Sequence, residues 1–137
     1  MSIGHKPYMI KVNIKKQSNY PVSTKDIKEK LVKFLEISGI QSDAVVNVSI
    51  VGQSKMLELA SQYLGEKDVL HNVLSFPAAE TKGVFVYPPD GIIRLGEIVV
   101  CYPKSIEDAK SEGVLVSEKV YELIEHGARH LMGEHHE

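Results

Sequence analysis

Two different spacings of apolar residues alternate along the first half of the chain, and their order limits the folds available to it. Apolar side chains recur at every second position over 8–14 and 44–51, which predicts two strands with one buried face each. Over about 24–38 and 54–64 they recur at helical spacing, and a glycine follows each stretch. The order strand, helix, strand, helix predicts a domain in which helices pack against a sheet.

Turn signals divide the second half of the chain into shorter elements. The extended segment 72–76 ends at Pro77, and strand patterns over 83–87 and 92–101 flank the Pro-Pro-Asp-Gly turn at 88–91. The two flanking stretches are therefore predicted to pair as a hairpin. Two helices are predicted to follow it.

Each predicted helix has an N-cap signal at its start: Ser23 or Thr24, Ser54, the capping-box pair Ser105 and Asp108, and Ser117. The resulting order β-α-β-α-β-β-α-α predicts one α+β domain over residues 1–137, with a mixed four-stranded sheet covered by helices.

The composition agrees with a single globular domain. The 137 residues are 43% apolar and 25% charged, with a net charge of −2, which suits one packed core and gives no sign of disorder. No signal-peptide core and no membrane-spanning apolar run are present, so we expect a cytoplasmic protein without a membrane partner. The single cysteine, Cys101, excludes an internal disulfide, and the apolar run before it predicts a core position.

Lysine is concentrated near the N-terminus. Residues 1–33 contain eight lysines and two acids, a net charge of +6, so the rest of the chain carries −8. A solvated lysine-rich surface is one explanation. The other is a phosphate-binding surface, in which case affinity for nucleic acid comes from this side and not from the acidic C-terminal end.

Four of the six histidines lie in the last twelve residues. His126 and His130 are four residues apart, so on a helix their imidazoles lie on one face, one turn apart. Gly133 can end that helix, and His136 then approaches from the other side. Three imidazoles with an open fourth position are typical of a catalytic zinc site, so the block predicts a metal site at the C-terminal helix. His135 remains an alternative to His136 as the third ligand.

Two sequence blocks resemble the YbeY family, also called endoribonuclease YbeY or rRNA maturation factor. Segments 72–77 (Asn-Val-Leu-Ser-Phe-Pro) and 95–100 (Leu-Gly-Glu-Ile-Val-Val) match the family's T-D/N-V-L-S-F-P and L-G-D/E-I-x-I. Block 126–136 matches H-G-x-L-H-L-x-G-Y-D-H at six positions, with the same histidine spacing. The resemblance extends from about Tyr8 to the C-terminus.

The resemblance implies a zinc-dependent endoribonuclease that cleaves single-stranded RNA. Its substrate would be ribosomal RNA of the small subunit, in RNA maturation and ribosome quality control. The three histidines His126, His130 and His136 would bind one zinc ion per chain.

The resemblance also implies which residues border the metal cleft. Ser75 and Phe76 of the second strand block would lie near it. Basic residues border the cleft in the family, and Lys11 and Lys15 are the candidates here.

Several positions depart from the family pattern. Leu64 follows Tyr63 where the family has an arginine associated with activity, which leaves open whether this chain is catalytic. The other departures are His71 for Thr, Arg129 for Leu, and Glu134 and His135 for Tyr and Asp. The chain is thus expected to be a divergent or C-terminally short member.

Two further side chains, Arg129 and His71, have two interpretations each. Arg129 is a candidate catalytic residue if it clamps a phosphate, and otherwise lies on the open side of the helix. His71 either contacts metal or RNA or is a hydrogen-bonded loop residue. Glu125 points about 100° away from His126 around the helix and is expected to be a solvated acid.

Three functions follow from these residues. Zinc lowers the pKa of a bound water to about 7, which suits hydrolysis of a phosphodiester, although a ribose hydroxyl can be the attacking group instead. The second function is a metal-stabilised ribosome-assembly factor without useful nuclease activity. The third is hydrolysis of a small molecule or peptide, which Gly127 disfavours because H-E-x-x-H proteases carry a glutamate there.

Overall fold

The computed structural model describes residues 6–78 and 90–133. Its elements are β1 (Ile10–Lys16), α1 (Thr24–Ile37), β2 (Ala44–Val51), α2 (Gln53–Leu64), β3 (Val73–Pro77), β4 (Ile93–Cys101), α3 (Tyr102–Glu112) and α4 (Val116–Leu131). The predicted α+β class with a mixed four-stranded sheet is confirmed. None of the helices among the described residues is long and apolar enough to cross a membrane.

The four strands lie in the order β1-β2-β4-β3. β1 and β2 run parallel, as do β2 and β4, whereas β3 runs antiparallel to β4. The strand that pairs antiparallel with β4 is thus β3, which begins at Val73. The sequence had instead predicted this pairing for the stretch 83–87. That stretch lies outside the described residues together with the first half of the turn at 88–91.

The two faces of the sheet are covered unequally. On one face, here called the inner face, α1 and α4 pack against the larger core, which includes Val46, Ile98 and Ile124. On the opposite, outer face, α2 packs around Val51 and Val99. Helices therefore cover both faces of the sheet, as the sequence predicted.

Three of the predicted helix starts are displaced. α2 begins after Gly52 and not at Ser54, and α4 begins after Leu115, whose N–H donates to the Glu118 carboxylate. α3 begins three residues before Ser105, which is fully buried and donates to the Cys101 carbonyl oxygen. Only the first helix has its predicted cap, because Ser23 accepts from the N–H of Asp26.

Cys101 occupies the core position that the sequence predicted. Its side chain is fully buried, and burial raises the pKa of its thiol. A neutral thiol in this position is a packing group and not a nucleophile.

A close approach between β3 and β4 occurs at Gly96. The register between β2 and β4 shifts beside it, because Val45 pairs with Arg94 and Val46 with Gly96. Gly96 has a φ of +131°, and a Cβ there would lie 2.2 Å from the Phe76 carbonyl oxygen. A bulge of this kind turns Glu97 to the outer face while Leu95 stays in the core.

Candidate functional site

The two helical histidines meet on α4 as their spacing predicted. The Nε2 atoms of His126 and His130 are 3.0 Å apart. Their rings lie 4.5 Å apart between centroids and are nearly perpendicular, at 74°. One helical turn has thus brought two ring nitrogens to a common point beside the helix.

This pair fits two positions of a metal site. Two nitrogens that each lie about 2.0–2.1 Å from a tetrahedral zinc ion are about 3.3 Å apart. The observed 3.0 Å separation is that of a hydrogen bond between the two rings, and small side-chain rotations that lengthen it by about 0.3 Å would give the separation that a shared zinc requires. Neutral imidazole is also a preferred zinc ligand.

The two candidates for a third ligand, His135 and His136, lie outside the described residues. Within residues 6–78 and 90–133, no group of three or more His, Cys, Asp or Glu side chains is arranged to hold a metal ion. A third ligand from the C-terminal end therefore stays a prediction of the histidine spacing.

The histidines open onto a cleft of about 520 Å³ between α4 and β3. Its β3 side consists of Asn72 with Val73, Leu74 and Ser75, and its α4 side is lined by Lys119, Glu122, Leu123, His126, Gly127 and His130. The lining combines apolar surface with several polar groups, as is usual for a site that binds a ligand.

Lys119 is the one lysine or arginine among the described residues that line this cleft. It is only 6% exposed, and its Nζ lies 2.8 Å from Glu112 and 3.3 Å from Glu122. The hydrogen bond to Glu112 raises the pKa of the Lys119 ammonium, and Glu122 adds to the rise. The cleft therefore holds a charged ammonium group whose charge is balanced by two carboxylates.

Gly127 lets α4 approach the sheet closely beside the histidines. A Cβ at this position would lie 2.7 Å from Ile98 Cγ2, in a fully buried part of the core. The glycine between the two helical histidines thus sets the depth at which both imidazoles stand over the sheet.

Only one of the four predicted substrate-binding residues lies in the cleft. Ser75 lines it, but Phe76, the next residue of β3, points to the outer face and packs against Tyr63. Alternation along a strand requires this, because successive side chains point to opposite faces. Expecting Phe76 near the metal cleft was therefore wrong.

Lys11 and Lys15 also lie away from the cleft. They alternate along β1 with Ile10 and Val12, which are buried on the inner face. Both lysines consequently project from the outer face, and β1 is at the opposite end of the strand order from β3. The expectation that they border the histidine cleft was wrong.

Arg129 lies on the α1 side of α4. Its Nη2 donates to the Glu125 carboxylate at 3.1 Å, and its guanidinium stands 4.8 Å from the centre of the Phe34 ring. Glu125 is thus an ion-pair partner and not simply a solvated acid. Burial raises the pKa of the Tyr121 hydroxyl, and the Glu125 carboxylate raises it further.

His71 matches the loop interpretation. Its Nε2 lies 2.6 Å from the Glu66 carboxylate, and the residue is partly buried. This contact connects His71, which precedes segment 72–77, to the loop after α2.

The sequence interpretation missed Lys119, Glu122 and Asn72 as cleft residues. A signal for the first two was available, because they precede His126 by seven and four residues and so share its face of α4. Asn72 could not have been found in this way. Its side chain donates to Asp108 of α3, which is a contact between distant parts of the sequence.

Comparisons with known proteins agree with this fold. Residues 11–137 match the family model described as endoribonuclease YbeY. An endoribonuclease YbeY of Dehalococcoides mccartyi is 32% identical in an alignment that covers 93% of this chain and 78% of that protein. An endoribonuclease YbeY of Thermodesulfovibrio yellowstonii is 33% identical over 90% of this chain and 71% of that protein.

A solved structure has the same fold. The solution structure of a protein from Thermotoga maritima superimposes with a TM-score of 0.56 and is 29% identical. The similarity covers 92% of this chain and 75% of that protein.

Proposed function

The chain belongs to the YbeY endoribonuclease family, and from this membership we propose that it cleaves single-stranded RNA in the cleft between α4 and β3 with the help of one zinc ion. The observation that carries the proposal is the 3.0 Å separation of the His126 and His130 Nε2 atoms at the end of this cleft. Two imidazoles aimed at one point are suited to a shared metal ion.

The residues that would hold the zinc are His126 and His130, with His136 as the proposed third ligand. The metal would act as a Lewis acid on the phosphodiester. For the histidines to bind it, both Nε2 atoms must be deprotonated, so metal affinity should fall in acid.

The other cleft residues would bind and orient the RNA strand. The Ser75 hydroxyl and the Asn72 amide offer hydrogen bonds along the β3 side. Because Asn72 gives its amide N–H to Asp108, the orientation of its side chain is fixed before RNA binds. Lys119 stands two helical turns from His126, about 10.5 Å along the axis, and would bind a phosphate near the scissile one.

We propose ribosomal RNA of the small subunit as the substrate, in its maturation and in ribosome quality control within the cytoplasm. The two motif blocks and the family membership support this proposal. In cells that lack the gene, unprocessed small-subunit ribosomal RNA should accumulate. The wild-type gene should restore processing, whereas a gene encoding His130→Ala should not.

A ribosome-assembly factor without significant nuclease activity is the second candidate. The pairing of Lys119 with two carboxylates favours it, since a cation whose charge is compensated attracts a polyanion weakly. This function predicts that His126→Ala and His130→Ala keep their affinity for RNA or ribosomes, and that the wild-type protein cleaves no RNA.

Opposite changes in KM are expected when the charge of the cleft is altered in opposite directions. Lys119→Gln removes the cation and should raise the KM for single-stranded RNA about tenfold with kcat changed less than about twofold. Glu122→Gln weakens the hold on Lys119 and should lower KM about threefold. Steady-state cleavage of a labelled oligonucleotide measures both values.

The control for this experiment is Lys28→Gln, which removes a lysine from the exposed surface of α1. Its KM should stay within about twofold of wild type. If Glu122→Gln raises KM as Lys119→Gln does, the ion pairs of Lys119 with Glu112 and Glu122 only maintain the structure. A phosphate-binding role for Lys119 would then be wrong.

A further inference from the structure

A second groove lies on the outer face of the sheet, away from the histidines. It has a volume of about 400 Å³ and is formed between α2 and strands β2, β3 and β4. The residues that line it are Ser49, Val51, Lys55, Leu59, Tyr63, Phe76, Glu97 and Val99. We call it the outer groove.

The outer groove has an aromatic wall. The Tyr63 and Phe76 rings lie 5.1 Å apart between centroids and are inclined at 53°. Tyr63 of α2 is 59% exposed, so its ring is accessible to a ligand, and Phe76 of β3 lies beside it. Accessible aromatic rings are platforms on which proteins stack unpaired nucleic acid bases.

Lysines stand on two sides of this groove. Lys55 lines it at the start of α2, where it pairs with Glu58. Lys15 lies beside Ser49 in the register between β1 and β2, which places it one strand, about 4.8 Å, from the groove. Lys11 projects from the same face, and in the described part of the chain neither Lys11 nor Lys15 forms an ion pair.

A short path connects the outer groove with the histidine cleft. Ser75 lines the cleft and Phe76 lines the groove, although they are neighbours on β3. β3 is an edge strand of the sheet formed by the described residues, so it separates the two sites by the thickness of one strand. One nucleic acid strand can therefore contact both sites by passing around this edge.

We propose that the outer groove binds a base of the same single-stranded RNA whose backbone is cleaved in the histidine cleft. This proposal rests on the proposed function and adds a second contact point for the substrate. A base stacks against Tyr63 and Phe76, while Lys55 and Lys15 attract the flanking phosphates. The RNA must then be long enough to pass around β3.

Glu97 adds a preference for certain bases. It is exposed on the outer face, lies opposite Phe76 in the register of β3 and β4, and lines the groove. A carboxylate accepts hydrogen bonds from exocyclic amino groups, which adenine, cytosine and guanine possess and uracil lacks. The groove should consequently disfavour uracil, and Glu97→Gln should reduce this discrimination.

The test is the dependence of RNA affinity on RNA length. Fluorescence anisotropy, with metal chelated so that no RNA is cleaved, measures the Kd of a four-nucleotide and a twelve-nucleotide cytidine-rich RNA. Tyr63→Ala should raise the Kd of the longer RNA about tenfold and that of the shorter RNA less than about twofold. Lys15→Ala should act in the same direction, about threefold, with a smaller dependence on salt.

Matched controls come from α1. Ile37→Ala removes another exposed apolar side chain, which is 80% exposed, and Lys28→Ala removes another exposed lysine. Both should leave the Kd of each RNA within about twofold of wild type. An equal effect of Tyr63→Ala on both lengths, or no effect on the longer RNA, overturns the outer groove as an RNA site.

The failure of this proposal can be told apart from failure of the proposed function. Cleavage is measured separately, with metal present. If the length-dependent change in Kd is absent while the wild-type protein cleaves RNA, only the outer groove is refuted. If the wild-type protein binds the longer RNA through Tyr63 but cleaves none, the nuclease is refuted and the groove remains.

Discussion

Replacing His130 with alanine is expected to reduce RNA cleavage by at least about 10³-fold and to release the metal ion. The physical reason is that His130 supplies one of two Nε2 atoms held 3.0 Å apart, and a single imidazole on α4 leaves the metal without its chelating pair. Cleavage of a labelled single-stranded RNA gives the rate, and mass spectrometry of the purified untagged protein gives the metal content. His126→Ala should behave in the same way.

The matched control for this prediction is His71→Ala. His71 contacts Glu66 in the loop after α2, so its removal should leave metal content unchanged and cleavage within about threefold of wild type. Circular dichroism would show whether each variant keeps the fold. Cleavage that persists in a folded, metal-free His130→Ala variant would contradict the metal-dependent mechanism.

Replacing Gly96 with alanine is expected to destabilise the fold by about 3–5 kcal/mol. Two costs combine at this residue. Its φ of +131° is a conformation that alanine rarely adopts, and the new Cβ would lie 2.2 Å from the Phe76 carbonyl oxygen. Because the clash is with the backbone, β3 must move, and Ser75 would move with it at the cleft. Urea unfolding of the variant and the wild type measures the difference in free energy.

Gly113→Ala separates the two costs. Gly113 also has a positive φ, +70°, but a Cβ there would meet no atom within 4 Å. Only conformational strain remains, so the loss of stability should be about 1–2 kcal/mol. Similar losses of stability in the two variants would mean that the clash between the new Cβ at residue 96 and the Phe76 carbonyl oxygen contributes nothing, contrary to the geometry at Gly96.

Local signals in the sequence predicted the elements well where local contacts decide them. The alternation over 44–51 gave the bounds of β2, and Ser23 caps α1 as expected because the cap needs only the adjacent turn. Ser105 shows the limit of such signals. It has the sequence pattern of a cap, yet α3 begins earlier and buries it, since packing against the sheet overrides a local preference.

In the candidate site, too, residues placed by local spacing were predicted and residues placed by long-range pairing were not. The spacing of His126 and His130 on one helix was sufficient to predict their meeting, because helix geometry alone brings them together. Placing Phe76, Lys11 and Lys15 required the face of each strand and the order of strands in the sheet. These depend on long-range pairing, which no local spacing encodes.

The most direct test of zinc-dependent RNA cleavage is a zinc titration of the metal-stripped protein, with cleavage of single-stranded RNA as the readout. The metal-stripped protein should cleave no RNA, and the cleavage rate should rise with added zinc until about one ion is bound per chain. Cleavage that is unchanged by stripping and by added zinc would contradict a zinc-dependent reaction.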